Sequence, residues 1–261
     1  MKVQRVEIVA HPNKPGVADL RNELQAFLEG KGIEVVDSSP DLVISLGGDG
    51  TTLGAAQRAH KEDAPLLGVN RGLLGYLTEV EAGAETEALE RVLAGDFTLE
   101  ERMMLSAQID DGKSYVALNE VLVERSARQR LAHLAVEVGG EHLASFDADG
   151  VIVATPTGST AYALSAGGPI VDPRAECIVV VPVSAHMIFS RAVVLSSAEV
   201  VQIIVDETRP EASLSVDGAL GCALAPGAKV AVRRHPRPIR FVRLSGPGFF
   251  ERLRLKLRFP D

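Results

Sequence analysis

Where the apolar run Leu42 to Leu46 ends, the chain reads Gly47-Gly48-Asp49-Gly50-Thr51-Thr52, an aspartate set among glycines. The run reads as a buried strand, and the glycines let the next residues turn with their N–H groups open to an anion. Thr51 or Thr52 is placed to cap a following helix, so turn amides and helix N-terminus converge on one spot. That is phosphate chemistry, with Gly47, Gly48, Gly50 and Thr51 as the expected phosphate-donor loop. Asp49 would repel a phosphate unless it accepts a proton or shares a cation, which marks it as the reactive group. The loop is not a P-loop, since no Gly-x-x-x-x-Gly-Lys followed by Ser or Thr occurs. Nor is it a dinucleotide fingerprint, because Leu53 stands where the third glycine belongs. A tight turn without a ligand is the plainer reading, although one glycine would suffice for it.

A second constellation runs from Asp149 through Val151-Ile152-Val153-Ala154 to Thr155-Pro156-Thr157-Gly158-Ser159-Thr160-Ala161-Tyr162. It predicts a strand ending at Pro156 and a hydroxyl-rich turn in which Gly158 supplies conformational freedom. Ser159 or Thr160 would cap a short helix leading to Ser165. Singly, each hydroxyl is explained by local backbone capping. Together, beside a tyrosine ring able to stack on a base or sugar, they suit a nucleotide. Asn119-Glu120 interrupts apolar β-type sequence and offers an amide and a carboxylate to a base or ribose, or else forms a hairpin turn. Arg125, Arg128 and Arg130 are candidates for a phosphate contact or for plain solvation.

The elements that must position these groups fall into two textures. Strand and helix signals alternate over the first hundred residues: Val6 to Ala10, a helix from about Val17 to Leu28, Leu42 to Leu46, a helix to about His60, Leu66 to Val69, and a helix near Glu85 to Leu93. This predicts a parallel sheet covered by helices. From Arg102 short β-type runs separated by turns predict a β-rich, sandwich-like region. Its runs are Leu105–Ile109, Tyr115–Leu118, Leu134–Val138, His142–Phe146, Ile178–Val183, Val200–Val205, Ser213–Val216 and Val230–Val232. The expected division is therefore residues 1–100, residues 101–236, and a tail 237–261. After Pro247-Gly248 the tail alternates like a strand, while Phe249, Phe250, Leu253 and Leu257 also make one helical face, which is the preferred reading.

With 261 residues and 46% hydrophobic content the chain can bury a substantial core, and its net charge of −8 argues against a general nucleic-acid binder. Charge is uneven. Eight arginines and one lysine against Glu251 alone lie between Arg233 and Arg258; a segment lying on the chain's own acids is favoured over a polyanion site. Cys177 and Cys222 match no metal or redox spacing, and no signal-peptide or membrane-length apolar stretch is present, so a cytoplasmic protein without a membrane partner is expected. The scattered histidines, His186 among them, and the absence of Gly-x-Ser-x-Gly and His-Glu-x-x-His leave zinc-enzyme and serine-hydrolase readings unsupported.

Taken together, the Gly47 to Thr51 loop, Asn70-Arg71-Gly72-Leu73-Leu74-Gly75-Tyr76-Leu77-Thr78, Asn119-Glu120 and Asp149 through Tyr162 resemble the NAD kinase family, in order and over nearly the whole chain. The glycine-aspartate loop alone is shared with lipid kinases of the diacylglycerol and sphingosine type. The Thr-Pro-Thr-Gly-Ser-Thr-Ala-Tyr stretch singles out NAD kinases. The resemblance implies transfer of the terminal phosphoryl group of ATP, or of polyphosphate, to the adenosine ribose 2′-hydroxyl of NAD, with a magnesium ion accompanying the donor rather than held at a fixed protein site. It makes Asp49 the proton acceptor and places Asp49, Gly50, Asn119, Glu120, Arg130, Asp147, Asp149, Thr157, Thr160, Ala161, Tyr162, Ala163, Leu164, Ser165, Ala185 and Ala219 around NAD. It also implies a homodimer or homotetramer and a tail that returns to the first domain. Departures are Thr52 and Tyr76 where phenylalanine is usual, Ala185 and Ala192 where proline is frequent, and Ala219 where glutamine is frequent. The rival readings are a lipid kinase and a nucleotide-sensing protein without activity.

Overall fold

The structure, a computed structural model, describes residues 2–126, 130–184, 191–208 and 211–257. The chain forms two compact units, Met1–Glu101 with Ile239–Asp261, and Arg102–Pro238.

In the first unit, strands β1 (Arg5–Ala10), β2 (Glu34–Val35), β3 (Leu42–Gly47) and β4 (Leu66–Asn70) alternate with helices α1 (Val17–Gly30), α2 (Asp49–Glu62) and α3 (Glu85–Ala94), and β5 (Thr98–Arg102) follows. β3 pairs in parallel with β1 and β4, and every residue of β3 is buried, the signature of a parallel strand covered on both faces. α1 buries Val17, Leu20, Leu24 and Leu28, a spacing that keeps one apolar stripe against the sheet.

The second unit comprises β6 (Leu105–Ile109), β7 (Ser114–Ala117), β8 (Glu120–Arg125), β9 (Ala132–Val138), β10 (Glu141–Ala148), β11 (Gly150–Ala154), the short helix α4 (Tyr162–Ser165), β12 (Cys177–Val183), β13 (Val193–Ser196), β14 (Val201–Val205), β15 (Ala212–Val216), β16 (Ala219–Leu224) and β17 (Lys229–Arg234). One sheet runs β10-β9-β14-β17-β6-β7 and the other β13-β12-β11-β8-β15-β16. A single core joins them, with Leu134, Val136, Ile203 and Val230 from the first and Val121, Val151, Val180 and Leu214 from the second. The second sheet also buries its other face, where Ile152, Val179 and Val181 meet Ala163 of α4. That double burial explains the unbroken apolar sequence of β11 and β12.

The chain then returns to the first unit. β18 (Ile239–Arg243) enters the sheet between β4 and β5, giving the order β2-β1-β3-β4-β18-β5, and α5 (Phe249–Leu257) follows as the helical reading of the tail predicts. The basic residues of this segment meet the chain's own acids. Arg240 bonds Asp63, Arg243 reaches Glu79 and Glu100, and Arg252 reaches Glu79.

Candidate active site

β3 delivers Gly47 and Gly48 to the carboxyl edge of its sheet, and Asp49 opens α2. The expectation of a threonine cap fails. Gly48 is the cap residue, and Thr52, inside the helix and fully buried, bonds Ser45 Oγ at 2.9 Å and donates to the Gly48 carbonyl at 3.1 Å. Nor does Asp49 lie among the amides of its own loop. Its Oδ2 accepts the Tyr76 N–H at 2.9 Å and its Oδ1 the Leu77 N–H at 3.0 Å, while Lys256 Nζ lies 3.5 Å from Oδ2. Gly75 makes this approach possible. A Cβ there would overlap Asp49 Oδ1 and lie 2.9 Å from both Asp49 Cγ and Thr78 Oγ1. Tyr76, over whose ring Lys256 sits, has its phenol pKa raised by burial and then by the charge on Asp49. Thr78 Oγ1 is buried without a hydrogen-bond partner among the described residues, beside the carboxylate. A buried hydroxyl of this kind costs about 1–3 kcal/mol unless water or a ligand meets it.

In the second unit, among the described residues β7 pairs only with β6, whereas β8 pairs with β11 and β15. Leu118-Asn119 is therefore the crossing from one sheet to the other, and the hairpin reading of Asn119-Glu120 is corrected. Asp217 holds the crossing. Its carboxylate accepts the N–H groups of Leu118, Asn119 and Glu120 at 2.9, 2.7 and 3.2 Å, while Asp217-Gly218, both at positive φ, turns the β15–β16 hairpin. Glu120 is buried, and its Oε2 has no partner among the described residues. Burial first, then the Asp217 charge, push its pKa up to about 7.

The turn at Thr155–Gly158 packs against that crossing. Thr155 Oγ1 donates to the Leu118 carbonyl at 2.6 Å and accepts the Gly158 N–H at 3.0 Å. Gly158 is not used for conformational freedom, since its φ is ordinary; a Cβ on it would meet the backbone of Asn119. Ser159 does not cap a helix either. It is fully buried, donates to the Pro156 carbonyl and accepts the Val171 N–H. Thr157 accepts from Arg102 at 3.3 Å, Thr160 donates to the Thr157 carbonyl, and Tyr162 is exposed.

The sequence matches two family profiles, the ATP-NAD kinase N-terminal domain over residues 34–97 and the ATP-NAD kinase C-terminal domain over residues 118–244. An NAD kinase of Symbiobacterium thermophilum is 46% identical over 221 residues, 83% of this chain and 78% of that protein. The chain belongs to the NAD kinase family. An NAD kinase of Syntrophotalea carbinolica is 36% identical over 98% of each chain. Among solved structures, a yeast NADH kinase complexed with NADH superposes with a TM-score of 0.91 at 24% identity, over 100% of this chain and 89% of that one. An NAD kinase from Archaeoglobus fulgidus in complex with ATP gives 0.79 at 26% identity, over 97% and 98%.

For this NAD kinase family member the residues expected at the site distribute as follows. Asp49, Gly50, Gly47, Gly48 and Thr51 cluster in the first unit. Asn119, Glu120, Thr157, Thr160, Ala161, Tyr162, Ala163, Leu164 and Ser165 lie in the second, where Thr155 and Gly158 bring the turn against the sheet crossing and Ala163 packs on the sheet's outer face. Asp149 is held by Arg125 Nε at 2.7 Å, so that arginine is spent on a carboxylate, and Asp147 meets His133 Nδ1 at 3.1 Å across β9 and β10. Arg130 is exposed, Ala219 opens β16, and Ala185, His186 and Arg128 lie outside the described residues. Sequence reasoning missed Gly75 as Asp49's neighbour, Asp217 as the clasp, Thr155 as the turn's hinge pin, and Arg252. Asp217-Gly218 carried a turn signal. Gly75 and Thr155 stand inside quoted motifs that give no sign of these contacts, and Arg252 carried no signal.

If burial holds Glu120 near pH 7, the native state binds its proton more tightly than the unfolded chain, whose glutamate titrates at 4.5. Its contribution is then fully present below about pH 4.5 and lost as pH rises through about 7. Glu120→Gln is expected to raise unfolding free energy little at pH 5 and by up to about 3 kcal/mol at pH 8.5. Urea unfolding of the ligand-free protein at the two values checks this, and an equal effect at both contradicts it.

Proposed function

We infer that this chain transfers the terminal phosphoryl group of ATP to the 2′-hydroxyl of the adenosine ribose of NAD, giving NADP and ADP. Asp49 carries the reading. It is an acid held by two amides and a lysine at a helix N-terminus, beside a glycine loop with open backbone. In the step, the ribose oxygen bonds to the γ-phosphorus, the bond from that phosphorus to the bridging oxygen breaks, and the hydroxyl proton passes to Asp49. Phosphoryl transfer has a loose transition state in which the hydroxyl becomes acidic late, so a carboxylate is a sufficient base when positioned.

The loop residues Gly47, Gly48, Gly50 and Thr51 take the phosphate end, aided by the α2 N-terminus. Asn119 and Glu120, presented by the Asp217 clasp, take NAD hydroxyl or amide groups. The unpartnered Glu120 oxygen is the acceptor that a ribose would satisfy. Asp149, Thr157, Thr160, Ala161, Tyr162 and Ser165 are assigned further contacts to the nucleotide, with Tyr162 supplying an exposed ring for stacking. Magnesium belongs to the substrate MgATP in this reading, and its charge would offset repulsion between phosphate and Asp49; polyphosphate presents the same anhydride.

A homodimer or homotetramer belongs to the same reading. β13 and β16, the two edges of one sheet, carry the exposed side chains Val194 and Leu220, which suit contact between copies. Cytoplasmic operation fits the free thiols Cys177 and Cys222, and among the described residues no helix is long and apolar enough to cross a membrane.

Incubation with NAD and MgATP, followed by an NADP-specific dehydrogenase, is the test. NADP is expected in the absence of lipid. Phosphorylated diacylglycerol without NADP would establish the lipid-kinase reading, and nucleotide binding without either product a sensing role.

A further inference from the structure

Two basic side chains of α5 spend themselves on the surroundings of Asp49. Arg252 is 3% exposed, and its guanidinium donates to the carbonyls of Pro247 at 2.8 Å, Gly75 at 3.1 Å and Thr78 at 2.5 Å, and to Glu79 Oε2 at 3.3 Å. The residues between its two loop carbonyls are Tyr76 and Leu77, the two that donate to Asp49. One turn on, Lys256 Nζ lies 3.5 Å from Asp49 Oδ2 and 4.1 Å from the centroid of the Tyr76 ring, itself 6.4 Å from that of Phe249.

This arrangement is costly for a surface helix. Burial of the Arg252 guanidinium, followed by the nearby charge of Arg243, lowers its pKa, opposed by the charges of Glu79, Glu81 and Asp49. An arginine needed merely to dock α5 could remain at the rim and donate to one carboxylate. Here the planar fork instead spans the segment whose amides meet the carboxylate, a task that a lysine's single point charge cannot perform.

We propose that α5 positions the phosphoryl-transfer base: Arg252 sets the 75–78 segment so that its amides meet Asp49, and Lys256 is the third partner of that carboxylate. The inference rests on the reading of Asp49 as proton acceptor. Lys256 also supplies positive charge where a carboxylate and a phosphate would otherwise repel each other, answering the oddity of an acid in a phosphate loop. Both are positioning residues.

The test uses the full chain carrying Lys256→Gln, Lys256→Arg or Arg252→Lys. Displacement of a reacting group by about an ångström costs on the order of 10²-fold in rate. For Lys256→Gln we expect kcat to fall by about 10–100-fold with the KM for NAD within about threefold, and Lys256→Arg to recover most of the loss. Arg252→Lys should show the same split, since it keeps the charge and loses the fork. Amide hydrogen exchange at Tyr76 and Leu77 should rise several-fold in Lys256→Gln and Arg252→Lys while the rest of the first sheet is unchanged. Parental kcat, a loss confined to KM, or failure of arginine to recover activity would overturn the proposal. Unaltered exchange would do so as well. If the parent makes no NADP, the functional reading fails, and the exchange measurement alone then supports or rejects the positioning of Asp49.

Discussion

Asp49→Asn is expected to cut turnover by at least about 10³-fold while changing the Kd for NAD by less than about threefold. Two losses combine. The amide cannot take the ribose proton, and it offers one acceptor oxygen where the carboxylate uses two, Oδ2 toward Tyr76 N and Oδ1 toward Leu77 N. Whichever way the new side chain turns, its NH2 faces one of those N–H groups. The surrounding segment loses its register as well as its base, and Lys256 loses its counter-charge. Apart from Asp49 and Gly50, the groups assigned to NAD belong to the second unit, and the substitution leaves these in place. Single-turnover formation of NADP and calorimetric titration with NAD separate the two quantities. Turnover within several-fold of the parent would remove Asp49 from the role of base.

Gly158→Ala is expected to be the most damaging single methyl in the second unit. The added Cβ would overlap the Asn119 carbonyl oxygen and come within 2.5 Å of its carbon and 2.7 Å of Asn119 Cα. These are backbone atoms at the start of a fully hydrogen-bonded strand, with no flexible side chain to yield. Either the 155–160 turn or the crossing at Leu118-Asn119 must move, and Thr155 ties the two together through its bond to the Leu118 carbonyl. Overpacking of this kind costs roughly 1–3 kcal/mol or somewhat more. The displacement of Asn119, Glu120 and Thr157 should weaken NAD binding by about 10²-fold. Gly54→Ala is the matching control. A Cβ on this exposed residue of α2 has nothing within 4 Å, and alanine in a helix should stabilise by about 1 kcal/mol. Denaturation midpoints and NAD titrations of the two variants make the comparison. A Gly158→Ala protein with parental values for both would show that the turn is looser than its contacts imply.

The strand–loop–helix around Asp49 was legible because apolar run, glycines and helical period lie within some twenty consecutive residues. What holds Asp49 was not legible. Its amide partners are 27 and 28 positions away, Arg252 is 177 positions from the Gly75 carbonyl it grips, and Asp217 is 98 from the Asn119 amide it caps. Periodicity reports neighbours along the chain, and none of these pairs are neighbours. Gly158 was noticed for the wrong reason, since in sequence a glycine that gives freedom and one that gives space look alike. The threonines after Asp49 suit a helix cap by their chemistry alone, whereas Thr52 turns inward to Ser45. The strands that escaped notice, β2, β5, β13, β16 and β18, are short or broken by glycine and charge. The resemblance to NAD kinases supplied the pairing of distant motifs that local pattern could not.

The position of β18 between β4 and β5 bears on how the protein is made. A ribosome finishing residues 1–101 has released every other strand of the first sheet, yet β4 still shows an open edge, and the strand that covers it is encoded more than a hundred residues later. The second unit, though synthesised afterwards, holds all its strands as soon as Arg234 emerges. Completion therefore runs opposite to synthesis, and during translation at about 5–20 residues per second the unfinished edge is available to another nascent chain or to a chaperone for many seconds. A message truncated just short of β18 would yield a chain with one finished unit and one sticky one, which places the aggregation hazard of this protein in its unfinished copies.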